Sequence, residues 1–241
     1  MNEVFSEPVF WVFIGLATAS ILVGVWQHQR RKQAWITEAA ARGLTYVDEN
    51  GKKRPGHQIA DPSEVEFVKS FSFRCLQRGY HQHVLMGRYD GKQVLIADYE
   101  EKKSPESLQT EMQQSSASLT YWRTVFGLRT KQANWPSLLL CRGREHADPL
   151  GWINDADLVS FPDDPAFNNL FTVVCKDPDG ARAVLSDSMR AFLCDAVPAR
   201  FHLELRGRDA VVHYGKRLHP RESAEQLKLL AAITEQAAEP A

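Results

Sequence analysis

Apolar and polar residues are arranged on two different scales along this chain. From Val9 to Trp26 the sequence VFWVFIGLATASILVGVW runs for 18 residues without a charged side chain. At 1.5 Å per residue that length spans about 27 Å as a helix, close to the hydrocarbon thickness of a bilayer. A single segment in lipid must satisfy its own backbone hydrogen bonds, so it must be helical. Pro8 stands at the entrance, where a missing N–H costs little, and Trp11 and Trp26 fall near the two ends, where interfacial aromatics belong. Gly15 and Gly24 lack the four-residue spacing of a GxxxG pair, so no helix dimer is predicted. The leader MNEVFSEP carries Glu3 and Glu7 and no Lys or Arg, which argues against a cleaved signal peptide.

Beyond Trp26 the periods are short. Gln27–Leu44 predicts a helix, continuous with the anchor or separate, with Gly43 placed to end it. Tyr46–Ser63, rich in Gly, Lys and Pro, predicts a linker or exposed loop. Strand character follows over Phe67–Leu76, Gln82–Tyr89 and Gln93–Tyr99, the last two joined by Asp90-Gly91, a strong hairpin signal. Glu101–Ser118 is a polar insertion without apolar period. Strands resume at Leu119–Leu128, Trp135–Cys141, Leu158–Phe161 and Leu170–Lys176, with a charged loop over Arg142–Asp155. One helix is predicted from Pro178 to about Ala196, with Asp177 as its N-cap. A last hairpin pairs Phe201–Leu205 with Ala210–Tyr214, and Pro220 opens a final amphipathic helix to about Gln236.

The predicted fold class is α+β: an N-terminal transmembrane helix, then a mainly antiparallel sheet with two helices in the C-terminal half. The expected divisions are a short extracytoplasmic tail (1–8), the transmembrane helix (9–26), a juxtamembrane helix and linker (27–63) and a soluble domain (64–241). The basic run Arg30, Arg31, Lys32 follows the anchor directly, and the only charges ahead of it are acidic. The positive-inside rule then predicts a single pass through the inner membrane, with the C-terminal domain in the cytoplasm. Trp11, Trp26, Arg30, Arg31 and Lys32 are the predicted membrane-anchoring residues.

Composition narrows the function. A formal net charge of −1 argues against a nucleic-acid binder that works by neutralising phosphates. Cys75, Cys141, Cys175 and Cys194 form no CxxC pair and read as free, buried thiols of a reducing compartment. No GxSxG elbow, GxGxxG or phosphate loop is present.

A few residues could still carry chemistry. His81 and His83 would share a strand face, and Asp98 or Glu100 on the neighbouring strand could complete a nitrogen–oxygen metal site. His202 and His213 could face each other across the last hairpin, where packing or a hydrogen bond competes with catalysis. Asn168 either satisfies a buried turn or marks a groove. Arg182, Arg190, Arg200, Arg206 and Arg208 read as solvated surface, or as a lipid contact if they cluster.

The string FPDDPAFNNLFTVVCKDPDGARAVLSDSMRAFL, Phe161–Leu193, resembles a family of bacterial single-pass membrane-anchored proteins of unknown function. Phe167, Asn168, Phe171, Val173, Asp177, Ala183, Leu185, Met189 and Leu193 carry the likeness. The segment MGRYDGKQVLIADYE and the strand Trp122–Val125 add to it. The resemblance implies an anchor with a cytosolic α+β domain, and no activity, cofactor or catalytic residue.

Two functions stay open. The first is a non-catalytic domain, binding or scaffolding at the inner membrane face, whose partners are the lipid bilayer and a membrane protein or lipid headgroups. The second is a membrane-bound enzyme or metal-binding protein using His81 and His83 with a nearby carboxylate. No cofactor is predicted.

Overall fold

A computed structural model of the chain describes residues 8–49, 80–102, 120–143 and 155–237. Helix α1 (Pro8–Arg42) is continuous from the apolar stretch through the basic run. It ends where Gly43 takes φ +64°, a conformation that costs glycine nothing, and Leu44 N–H closes the turn on the Ala39 carbonyl. The helix predicted over Gln27–Leu44 is thus the second half of α1.

Strands follow as β1 (Thr45–Glu49), β2 (Tyr80–Tyr89), β3 (Lys92–Lys102), β4 (Thr120–Arg129), β5 (Trp135–Arg142), β6 (Leu158–Val159), β7 (Phe171–Cys175), β8 (His202–Gly207) and β9 (Asp209–His213). Helix α2 (Pro165–Leu170) precedes β7, α3 (Pro178–Val184) and α4 (Asp187–Ala196) follow it, and α5 (Ser223–Gln236) comes last. Among the described residues these nine strands form one sheet in the order β1-β2-β3-β4-β9-β8-β5-β7-β6, and every neighbouring pair is antiparallel. The α+β class is as the sequence predicts.

The β2–β3 turn uses Asp90 (φ 49°) and Gly91 (φ 71°), the two positive φ angles a tight primed turn demands. Alternation then sorts the side chains. Leu85, Val94, Ile96, Phe126, Leu128, Leu140, Leu203, Leu205 and Val212 enter one buried cluster with Trp35 and Ala39 of α1. Leu227, Leu230 and Ile233 of α5 and Met189 and Leu193 of α4 complete it. Val84, Met86, Leu95, Ala97, Tyr99, Val125 and Val211 form a second buried cluster on the opposite face. Each fully buried aliphatic chain contributes about 1.5–3 kcal/mol. The second half of α1 therefore belongs to the main core, while none of its apolar membrane-length window is buried.

Three elements differ from expectation. The polar stretch after Leu44 opens with β1, whose Thr45, Tyr46 and Val47 pair with Met86, Leu85 and Val84. The acidic approach to β7 holds α2, with Asp164 as N-cap accepting from Phe167 N–H and Pro165 in the first turn. The helix predicted from Pro178 to Ala196 breaks at Leu185 (φ −95°, ψ 57°), because Ser186 caps a new helix through Met189 N–H. The Arg190 guanidinium occupies the Leu185 carbonyl that the break frees. The predicted strand at Phe67–Leu76, most of the Glu101–Ser118 insertion and most of the Arg142–Asp155 loop lie outside the described residues.

Candidate functional site

The densest polar cluster in the main core sits where α1 enters it. Asp98 follows Val94 and Ile96 on β3 at two-residue steps, so its side chain points into the core beneath α1. It is fully buried, and a buried carboxylate must be paired and hydrogen-bonded. Arg31 supplies both needs, with Nε 2.6 Å from Oδ2 and Nη2 2.7 Å from Oδ1, a bidentate fork. Thr124 of β4 donates its hydroxyl to Oδ1 at 2.8 Å and Trp35 donates its indole N–H to Oδ2 at 3.3 Å. Arg217 brings its guanidinium to 3.3 Å of Oδ2 while lying over the Trp122 ring.

The cluster joins three parts of the chain. Arg31 Nη2 also donates to the Leu218 carbonyl at 2.8 Å, and Leu218 N–H donates back to Thr124 Oγ1 at 2.9 Å. Helix α1, the β3–β4 pair and the connector after β9 therefore share one network.

His83 stands beside it. A bulge between Gln82 and Leu85 sets His83 at φ 52°, so the strand's alternation stops there. Its Nδ1 is 2.8 Å from the Tyr46 hydroxyl and its ring lies 5.1 Å from that of His28 on α1. Burial pushes its pKa from 6.5 down to about 4; the Asp98 carboxylate opposes this and is outweighed. At neutral pH the ring is uncharged.

The predicted metal-site residues are distributed as follows. Asp98 pairs in register with Gln82 and His81 with Tyr99. Asp98 has both oxygens committed to Arg31, Thr124 and Trp35, and His83 contacts Tyr46 and His28. The His81 and Glu100 side chains lie outside the described residues. Among the described residues no three His, Cys, Asp or Glu side chains gather in a way that could hold a metal ion.

Of the predicted anchoring residues, Trp11 and Trp26 are 60% and 58% exposed, with the Arg30 guanidinium 5.3 Å from the centre of the Trp26 ring. Lys32 is half-buried. Arg31 is turned toward Asp98.

Two other clusters are structural. His202 and His213 stack at 4.3 Å, and the Cys141 thiol lies 3.2 Å from His202 Nδ1. Burial pushes the Cys141 pKa up to about 12, so the group is a thiol and a poor nucleophile. Burial also holds His213 well below its ordinary value. Arg190 is gripped by Asp163, Asp164 and Asp187 and packs over Phe161, while Asn168 exchanges two hydrogen bonds with the Phe161 backbone. Asn168 thus satisfies a turn.

No protein-family model and no curated protein matches the chain. Among solved structures it is similar to the crystal structure of the mycobacterial trehalose monomycolate transport factor A, TtfA. The two superpose with a TM-score of 0.56 at 14% sequence identity, over 88% of this chain and 96% of that one. At that identity the likeness is one of fold.

Proposed function

We propose that the chain is a membrane-anchored, non-catalytic binding domain that works beside an integral membrane protein at the cytoplasmic face of the inner membrane. One observation carries this reading. The helix long and apolar enough to cross a membrane continues unbroken into the core, and the buried Arg31–Asp98 pair fixes it there. A flexible tether raises local concentration only. A rigid one also sets the height and orientation of the domain, which suits a partner in the same bilayer. A second half so deeply packed also argues that the helix is retained and not removed as a signal.

Other observations agree. The polar groups with chemical potential (Asp98, Arg190, Asn168, Cys141) are taken up in structural contacts or held neutral. The basic run after Trp26 supports the cytoplasmic side. The fold is shared with a protein named as a transport factor for trehalose monomycolate. That likeness supports, by analogy of fold alone, a role associated with transport at the membrane.

The test is purification of the full chain from detergent-solubilised membranes, with and without Asp98→Ala. The reading expects an integral membrane protein at a fixed ratio, reduced in the variant although the variant still fractionates with membranes. Absence of such a protein, or a ratio indifferent to Asp98, would contradict it.

A further inference from the structure

We propose that the end of the sheet from which α1 emerges is a docking surface for anionic lipid headgroups, so that the domain is seated on the bilayer. This rests on the reading of α1 as a membrane anchor.

Chain direction supplies the argument. Arg31 and Trp35 meet Asp98, whereas Leu44, at the far end of α1, packs against Gly87, which pairs with Val94. From Val94 to Asp98, β3 therefore climbs toward the bilayer, antiparallel to α1. The register of β1 agrees. It returns from Thr45, opposite Met86, to Glu49, opposite Gln82, which is itself opposite Asp98. The descent from Arg31 to Arg42 is about 16 Å of helix, and β1 climbs back about 13 Å of strand from Thr45 to Glu49. Helix α5 gives the same direction independently. It starts after a 3-10 turn (Pro220–Glu222) packed on α1, and it ends with Glu235 bonded to Lys92 beside the Asp90-Gly91 turn. The positive end of its dipole points toward the membrane.

Beyond Asp98, β3 continues to Lys102, opposite Thr120, roughly 13 Å higher, while Trp26 stands about 8 Å above Arg31. The β3–β4 end thus reaches the level of the interfacial Trp26. Among the described side chains, Arg30, Arg123, Lys216, Arg217 and Arg221 are basic and lie toward this end, and the Glu222 carboxylate there is taken up by His219 N–H. Arg30, Lys216 and Arg221 are exposed, and Arg30 and Arg217 each lie over a tryptophan, Trp26 and Trp122. Basic side chains beside indole rings at headgroup depth match an anionic leaflet in both charge and polarity. The opposite end also carries exposed cations, Arg88, Lys131 and Arg208, beside the pairs Arg129–Asp209 and Lys92–Glu235, so it is nearness to Trp26, and not charge alone, that selects the first end.

The test is photo-cross-linking of the full chain in lipid nanodiscs. A photoreactive phenylalanine analogue replaces Lys216, Arg221, Asp90 or Trp11 in turn. The discs are either pure phosphatidylcholine or a mixture with phosphatidylglycerol. We expect lipid adducts from positions 216 and 221, enriched in phosphatidylglycerol, and none from position 90 at the far hairpin. Arg30→Glu lowers the phosphatidylglycerol yield at 216 about fivefold or more. Yields at 216 and 221 equal in both discs, or matched by position 90, overturn the proposal while adducts from position 11 leave the anchor intact. Loss of adducts at position 11 overturns the anchor reading and this one with it.

Discussion

Arg31 and Asp98, 67 positions apart in the chain, meet through two parallel hydrogen bonds of 2.6 and 2.7 Å. One partner is on the helix that is long and apolar enough to cross a membrane, and the other is on the third strand of the sheet, fully buried. The pair, together with the burial of Trp35 and Ala39, fastens the helix to the domain so that the two form one body.

Removing Arg31 leaves buried Asp98 with only the longer contact to Arg217, and removing Asp98 leaves both guanidiniums without their carboxylate. Asp98→Ala and Arg31→Ala are each expected to destabilise the domain by about 3–5 kcal/mol. The Arg31→Met/Asp98→Leu double variant should cost less than the sum, because the buried carboxylate and its fork partner go together and only the part-exposed Arg217 loses a contact. Arg31→Lys should still be destabilising, since an ammonium cannot reproduce the fork and the bond to the Leu218 carbonyl together. Urea unfolding of the full chain in detergent measures all four, and additive single effects would contradict the pairing.

His83 gives the stability a pH dependence. Its folded pKa, about 4, lies below the 6.5 of the unfolded chain, so between those values the unfolded chain binds the extra proton. Stability is fully present above pH 6.5 and falls as the pH drops toward 4, by up to about 1.4 kcal/mol per unit. His213, lowered well below its ordinary value, acts in the same direction. His83→Asn, whose side chain tolerates the positive φ, should flatten the slope without abolishing it. Unfolding midpoints measured from pH 7 to pH 4 test this, and an unchanged slope in the variant would assign the dependence elsewhere.

The break between α3 and α4 depends on one hydroxyl. Ser186→Ala removes the cap on Met189 N–H and is expected to cost about 1 kcal/mol. Ser186→Asp should restore most of it by capping the same turn. Thermal melts of the two variants compare them directly, and equal midpoints would show that the break is fixed by packing alone.

Thiol reactivity should follow burial. Cys141, its pKa pushed up to about 12, should resist alkylation at pH 8 in the native chain, while Cys194, half-buried on α4, should react first of these two. Mass spectrometry after timed alkylation reads the order.

The parts of the fold legible in the sequence were those with local causes. Asp90-Gly91 announces its hairpin because only those residue types accept two positive φ angles in succession. Asp177-Pro178 announces α3 because cap and first-turn residue are adjacent. The Arg31–Asp98 pair has no local signature. Arg31 sits inside a run that reads as a topology signal, and nothing in the sequence around Asp98 indicates that α1 packs over it. The helix break was masked because Val184, Leu185 and Met189 keep a helical apolar period across it. Strand β1 was hidden by the Gly, Lys and Pro residues that follow it. His83 illustrates the limit of period counting: a bulge redirected it, and its partners, Tyr46 and His28, come from elements that no spacing rule connects to β2.

Rigid coupling between anchor and domain is tested most directly by a spin-label distance between a membrane-end position and the far hairpin. Spin labels carried on a ketone-bearing unnatural amino acid at positions 26 and 90, which leaves the native cysteines unlabelled, should give one narrow distance distribution in the full chain in nanodiscs, which Asp98→Ala broadens. A distribution already broad in the otherwise native chain would mean that the domain swings freely from its anchor, contrary to the account given by Arg31 and Asp98.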